Sequence, residues 1–273
     1  MNYLDAIILG IVEGLTEFLP VSSTGHLTIA EKILGYDIDD KSVTAFTAVI
    51  QIGAIAAVLV YFAGDIGRIA KAWALGLVRP EYRGSYDHRM GWYIIVGSMP
   101  IGLVGFAAKD LITGDLRSLW VVGAALVLWS AVMIYAERRG AQARGENELT
   151  MRDALVMGLV QCIALVPGVS RSGATISAGL LQGLDRVAAT RMAFFLGIPS
   201  LTAAGLYELK DVHDIGVGPT VVGTLVSFVV AYASVAWLLK FVAHHSIGKF
   251  VPYRVVLGVV VLGLLAGGVM SAT

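Results

Sequence analysis

The sequence predicts an all-α integral membrane protein, and three observations carry that prediction. Of its 273 residues 57% are hydrophobic and 15% charged, with a mean hydropathy of +0.77, values remote from those of soluble domains. Six stretches, roughly 44–62, 91–108, 118–136, 192–208, 219–239 and 254–271, are long and apolar enough to cross a bilayer. Two further apolar segments, 3–35 and 152–184, carry polar residues near their middles. Each crossing uses about 20 residues, so the chain has room for a single membrane domain over 1–273 and little else.

The elements follow in chain order. Met1 to Asp5 hold no basic run, and Glu13, Gly14, Thr16 and Glu17 interrupt the first apolar stretch, so the N-terminus reads as part of the fold rather than a cleavable signal. Segment 3–35 breaks at "EFLPVSSTGH", residues 17–26. Each half is too short to cross, and irregular backbone at membrane depth is tolerated where protein buries it or a wet cavity receives it. A re-entrant helical hairpin satisfies both conditions. Three crossings follow, then a second re-entrant hairpin over 152–184, then three more crossings.

The basic residues test this layout. If both hairpins return to their own side, one side holds fourteen Lys and Arg: Arg68, Lys71, Arg79, Arg83, Arg89, Arg138, Arg139, Arg144, Arg152, Arg186, Arg191, Lys240, Lys249 and Arg254. The other holds five, Lys32, Lys41, Lys109, Arg117 and Lys210, and Arg171 lies inside the second hairpin. The positive-inside rule makes the rich side cytoplasmic. The N-terminus and the first hairpin then face outside and the second hairpin enters from inside. His244, His245, Trp73, Trp92 and Tyr253 fall near span ends, where interfacial positions are expected.

A shift of 148 residues lays Gly10 on Gly158, Glu13 on Gln161, Val21 on Val169, Ser22 on Ser170, Thr24 on Ser172 and Gly25 on Gly173, so "VSSTG" meets "VSRSG" without a gap. Each half, about 1–136 and 150–273, is then a hairpin followed by three crossings. An odd number of crossings makes the halves an inverted-topology repeat, with the site expected where the two broken elements meet.

Glu13 and Glu17, four residues apart, share a helix face. Such a pair calls for a compensating cation, a proton or Arg171, and a divalent cation (Mg2+ or Ca2+) completed by phosphate oxygens is the natural metal for carboxylate ligands. Ser22, Ser23, Thr24 and Gly25 open one helix, and Ser170, Arg171, Ser172, Gly173 and Thr175 open another. Two helix N-termini and an arginine fork form an anion site. Carboxylates, hydroxyls, the imidazole of His26 and the guanidinium of Arg171 make up a phosphoryl-transfer set. Outside that context Ser22, Thr24 and Ser172 read as helix caps, and Thr175 and Ser177 as packing residues bonded to their own helix. Cys162, the single cysteine, reads as a small buried hydrophobe. The zero formal net charge gives no electrostatic reason for a nucleic-acid partner.

"GIVEGLTEFLPVSSTGH" and "PGVSRSGATIS", with "FTAVIQIGAIAAV" between them, strongly resemble the signature regions of the undecaprenyl-pyrophosphate phosphatase (bacitracin-resistance) family of bacterial membrane enzymes. The resemblance runs nearly end to end. It implies hydrolysis of the lipid carrier undecaprenyl pyrophosphate to its monophosphate, assisted by a divalent cation, on the outer side of the cytoplasmic membrane. It places the family's acidic positions at Glu13 and Glu17, its serine pair at Ser22 and Ser23, its histidine at His26, and its second-motif serine, arginine and threonine at Ser170, Arg171 and Thr175. Ser23 lies three residues before His26, so the expected mechanism has Ser23 attack phosphorus, His26 move the proton and Arg171 hold the phosphate. Two versions compete, one with His26 as nucleophile and one with metal-activated water and Glu17 as base. The expected partners are the polyprenyl pyrophosphate substrate and membrane lipid, and a homodimer stays open. The inverted repeat also supports another class of function, translocation of a polyprenyl phosphate lipid through the same site. An anion channel is disfavoured because Glu13 and Glu17 would repel the permeating ion.

Overall fold

A computed structural model describes residues 1–37, 40–108, 111, 116, 118–208 and 216–272. Lys109, Arg117 and Lys210, which enter the charge count above, lie outside the described residues, as does the side chain of Lys41. The described chain is all α-helical, with one isolated bridge between Arg144 and Leu184 in place of any strand. Its helices are α1 (Tyr3–Thr16), α2 (Ser23–Ile33), α3 (Lys41–Tyr61), α4 (Ala63–Val78), α5 (Tyr86–Ala107), α6 (Leu119–Arg139), α7 (Met151–Gln161), α8 (Arg171–Leu181), α9 (Arg186–Glu208), α10 (Val217–His244) and α11 (Val251–Ala266).

Six helical stretches are long and apolar enough to cross a bilayer: Ser42–Tyr61, Tyr86–Ala107, Leu119–Arg139, Arg186–Tyr207, Val217–His244 and Ile247–Ala266. All six expected stretches are present, most of them extended by several residues at one end. Helix α4 has no counterpart in the sequence reading. Its 16 residues carry Asp65, Arg68 and Lys71, too short and too charged for a crossing. It packs on α5, with Trp73 edge-on to Trp92.

The two polar-centred segments are helix–turn–helix hairpins, α1–α2 and α7–α8. Under the 148-residue shift α2 and α8 coincide from first residue to last, and α1 and α7 begin at equivalent residues. The caps coincide too: the Asn2 side chain accepts from the Asp5 N–H and the Thr150 side chain from the Asp153 N–H.

Each hairpin is tied shut at its open end by the aspartate of its first turn. Tyr36, just past α2, donates its hydroxyl to Asp5 at 2.5 Å. In the second hairpin Arg144 donates to both carboxylate oxygens of Asp153, at 3.1 and 2.6 Å, and to the Gln182 carbonyl beyond α8 at 2.8 Å. The backbone reinforces this tie, since the Ala143 and Arg144 N–H groups donate to Gly183 and the Asp185 N–H donates to Arg144. Both hairpins therefore hold their two ends together. Asp153 is buried, which alone would raise its pKa, yet the hydrogen bonds from Arg144 and Thr150 outweigh burial and hold its carboxyl below the usual range.

The packing pairs the halves with each other. Helix α1 lies on α10 and α7 on α5, while α3 packs on α10 as α9 does on α5, and α6 meets α11. Both hairpin crossings are backbone-close: a methyl group on Gly10 would strike the carbonyl of Gly223, and one on Gly158 would strike that of Gly97. Gly10 and Gly158 are also the pair matched by the repeat.

Arg144→Met should lower unfolding stability in detergent by about 2–3 kcal/mol, because it strands the buried Asp153 carboxylate. A folded-state pKa below the ordinary 3.8 contributes stability above that pH and loses it as pH falls through the lowered value. The gap in melting temperature between native and variant should therefore close as the buffer is taken below about pH 4, which a pH series of thermal melts would read.

Candidate active site

The two hairpin turns meet, and the residues that open α2 and α8 are brought face to face. Ser22 and Ser170 take left-handed φ values of 78° and 80°, unusual for side-chain-bearing residues, and each caps its helix by accepting from the N–H three residues on, Gly25 and Gly173. Such conformations cost about 1–3 kcal/mol each and persist only where the surroundings impose them. Here the surroundings do so by linking the tips. Ser22 Oγ also accepts from the Gly168 N–H at 3.1 Å, and Ser172 Oγ donates to the Leu19 carbonyl at 2.9 Å. Each tip thus sends one serine into the backbone of the other.

Glu17 stands at the junction. Its side chain is 4% exposed, and its two oxygens serve opposite hairpins: Oε2 accepts from Ser23 Oγ at 2.5 Å and Oε1 accepts from Arg171 Nη2 at 3.1 Å. The short hydroxyl contact fits a charge-assisted O–H···O⁻ bond. Ser23 and Arg171 are equivalent under the 148-residue shift, each the first residue of its helix. One backbone position used twice therefore presents a hydroxyl from one side and a guanidinium from the other to a shared carboxylate.

Arg171 is held further by Nη1, which donates to the Ala193 carbonyl of α9 at 3.4 Å, and its planar fork lies where a side chain on Gly197 would sit. Its Nε–H is buried without a hydrogen-bond partner among the described residues, a spare donor beside Glu17. Phe18 lies under the guanidinium, 5.9 Å from ring centroid to Cζ.

His26 is placed differently from the expected relay with Ser23. Its Nδ1 lies 2.7 Å from the Ser22 carbonyl, which can only accept, so Nδ1 carries a proton; Nε2 lies 2.7 Å from the Tyr253 hydroxyl of α11. Among the described residues the hydrogen bond of Ser23 goes to Glu17 instead. Tyr253, expected only as an interfacial aromatic, is the tyrosine stacked on His26. Arg254 corrects the charge count: counted with the basic-rich side at the start of the last crossing, it is wholly buried and bonded to the carbonyls of both tips.

The other expected residues divide by what their polar atoms already do. Ser22, Ser170 and Ser172 spend theirs on caps and cross-links, and Thr175 donates its hydroxyl to the Arg171 carbonyl at 2.8 Å while fully buried. They shape the tips from beneath. Gly25 and Gly173 present N–H groups to capping serines, and Thr24 is exposed on the first turn of α2. Glu13 lies one turn before Glu17 and is buried. These two carboxylates offer hard oxygen ligands, but the described residues contain no cluster of three His, Cys, Asp or Glu side chains able to hold a metal ion. The donor set fits a divalent cation only if phosphate oxygens complete its shell.

Sequence reasoning missed Gly197, Tyr253 and Arg254. The first two carried no signal a single chain could reveal. Arg254 did carry one, an arginine at the edge of an apolar run, but the same signal marks an interfacial anchor.

The chain matches the family described as "Bacitracin resistance protein BacA" over residues 6–260. It is 58% identical to "Undecaprenyl-diphosphatase 3" of Frankia casuarinae over 279 aligned positions, covering 100% of both chains. It is 56% identical to "Undecaprenyl-diphosphatase" of Acidothermus cellulolyticus and 52% identical to that of Mycolicibacterium smegmatis, again over 100% of this chain and of each relative. With the family model matching residues 6–260 and full-length relatives more than half identical, the chain belongs to the BacA family of bacitracin resistance proteins.

Proposed function

We propose that this protein hydrolyses undecaprenyl pyrophosphate to undecaprenyl phosphate and inorganic phosphate in the cytoplasmic membrane. The observation that carries the reading is the Glu17 carboxylate shared between a hydroxyl and a guanidinium from opposite hairpins. The names of the relatives supply the substrate.

In the proposed reaction Ser23 Oγ attacks the terminal phosphorus while Glu17 Oε2, already its hydrogen-bond acceptor, takes the proton. The bond from phosphorus to the bridging oxygen breaks, and undecaprenyl phosphate leaves. Glu17 passes its proton to the departing undecaprenyl phosphate; water then cleaves the phosphoserine, Glu17 taking a proton from the water and returning it to Ser23 Oγ as inorganic phosphate is released. Arg171 offers its unused Nε–H to the phosphoryl oxygens and opposes the charge they gather. His26, held by the Ser22 carbonyl and Tyr253, orients the first turn of α2. Glu13 and Glu17 would hold a divalent cation completed by the pyrophosphate, and such a cation supplies neutralisation of the clustered negative charge.

The active site is proposed to open to the outer face. In support, both hairpins hold their two ends together, which is what a re-entrant segment requires. Without Arg254 the basic bias becomes thirteen against five, of the same sign. The matched hairpin boundaries and the exchanged packing of the halves support an inverted repeat. That pseudo-symmetry also favours a second reading, translocation of a polyprenyl phosphate lipid by rocking of the halves.

Purified protein in detergent, where no gradient exists, should release phosphate from undecaprenyl pyrophosphate in a chelator-sensitive manner; absence of release would leave translocation as the better reading. Glu17→Gln and Ser23→Ala should each lower kcat by about 10²–10⁴-fold, since each removes one partner of the proton transfer. Gly197→Ala should lower activity about tenfold or more at unchanged folding, because its methyl group would push the Arg171 fork off Glu17. Steady-state phosphate release alongside thermal melts would check all three variants.

A further inference from the structure

Arg254 is the largest side chain among the completely buried residues, with 0% exposure. Other partly buried arginines meet carboxylates: Arg144 with Asp153, Arg171 with Glu17, Arg186 with Glu137, and Arg191 with Asp65 and Glu146. Arg254 meets none among the described residues. Its guanidinium donates from Nε to Ser130 Oγ at 3.2 Å, from Nη1 to the Pro20 carbonyl at 3.0 Å, and from Nη2 to the Gly168 and Val169 carbonyls at 2.9 and 3.1 Å. A cation removed from water and left without a counter-ion is costly. Neutral donors could serve one or two carbonyls, but only the planar five-donor fork reaches four acceptors on three elements at once.

The acceptors show what the fork does. Pro20 belongs to the first tip, Gly168 and Val169 to the second, and Ser130 to α6, so a single side chain of α11 spans both tips and anchors them to the crossing behind. A peptide unit is planar, with its C=O and the following N–H pointing opposite ways. Drawing the Val169 carbonyl onto Arg254 therefore turns the Ser170 N–H to the opposite side, and the Pro20 carbonyl does the same for Val21. The Val169 unit immediately precedes Ser170 and the Pro20 unit ends at Val21, the residue before Ser22; Ser22 and Ser170 are the two left-handed residues, and they immediately precede Ser23 and Arg171. The next residue back on α11, Tyr253, holds His26. The start of α11 thus sets the orientation of both helix openings from behind.

We propose that Arg254 is a positioning residue: its fork locks the two tips in register so that Ser23, Glu17 and Arg171 meet, and its unpaired charge adds a positive field beneath the phosphate cradle. It touches neither substrate nor the reacting atoms. This rests on the phosphatase reading of the site, and two readouts separate the two ideas.

The first is hydrogen exchange of the tip peptides, residues 17–26 and 166–175, without substrate. In Arg254→Lys, which keeps the charge but not the fork, the tip amides should exchange about tenfold faster or more while the tied base at 143–150 and 182–185 stays as in the native chain. Unchanged tip exchange overturns the proposal whatever the protein turns over. The second is phosphate release from undecaprenyl pyrophosphate by native protein, Arg254→Lys and Arg254→Ala. Misplacement of reacting groups by about 1 Å costs on the order of 100-fold, so kcat should fall about tenfold in the lysine variant and about 100-fold in the alanine variant, with KM within about threefold of native. Millimolar guanidinium ion should restore part of the rate of Arg254→Ala and leave the native rate unchanged. A lysine variant with native kcat, or a raised KM at native kcat, overturns the positioning role. If Arg254→Ala does not fold, the exchange and kcat of Arg254→Lys decide alone. No release by the native protein counts against the phosphatase reading, and tip exchange still judges Arg254.

Discussion

A carboxylate taken out of water must be matched, and the matching of Glu17 organises this molecule. Left alone at 4% side-chain exposure it would be strongly unfavourable. It is satisfied by two groups that no single hairpin could supply, Ser23 from its own side and Arg171 from the other. That requirement draws the tips together, and their closeness in turn supports the left-handed Ser22 and Ser170 through the bonds of Ser22 to Gly168 and of Ser172, two residues past Ser170, to Leu19. The outer helices complete the frame: α9 backs the Arg171 fork at Ala193 and Gly197, and α11 brings Arg254 and Tyr253 beneath the turns.

The same backbone device is used twice with different chemistry. Asp5 and Asp153 close the hairpins, Gly10 and Gly158 let them cross a neighbour, and Ser22 and Ser170 cap their second helices, each pair 148 residues apart. At the functional positions the copies diverge: Glu13 faces Gln161 in the alignment, Ser23 faces Arg171, and His26 faces Ala174. Two like hydroxyls or two like guanidiniums would not match one carboxylate. The divergence places a hydroxyl and a guanidinium, the proposed nucleophile and anion binder, on opposite sides of a common acceptor, and the near-symmetry of the scaffold makes them point at the same place.

Much of this was legible in the sequence because membranes impose strong rules. Apolar length gave the six crossings, and polar residues in the middle of apolar segments located both turns. The "VSSTG" and "VSRSG" match located the equivalent caps to the residue. Helix α4 escaped because an amphipathic 16-residue helix has neither the length nor the apolarity those rules use. The partner of Ser23 was misjudged for a related reason: one-turn spacing makes His26 a neighbour on the helix surface, but Pro20 and the left-handed Ser22 reverse the chain and bring Glu17, six residues back, onto the hydroxyl. Arg254 and Tyr253 lie more than 200 residues from the first tip, and only tertiary packing joins them to it.

The proposed role of Ser23 as a nucleophile acting through Glu17 is tested most directly by the stereochemical course at phosphorus. A substrate whose terminal phosphate is made chiral with sulfur and oxygen isotopes would be hydrolysed in isotopic water and the configuration of the released thiophosphate read. Attack by Ser23 followed by water gives two in-line displacements and net retention. Net inversion would mean a single displacement by water, and would reduce Ser23 to a ligand of the phosphate rather than the group that breaks the bond.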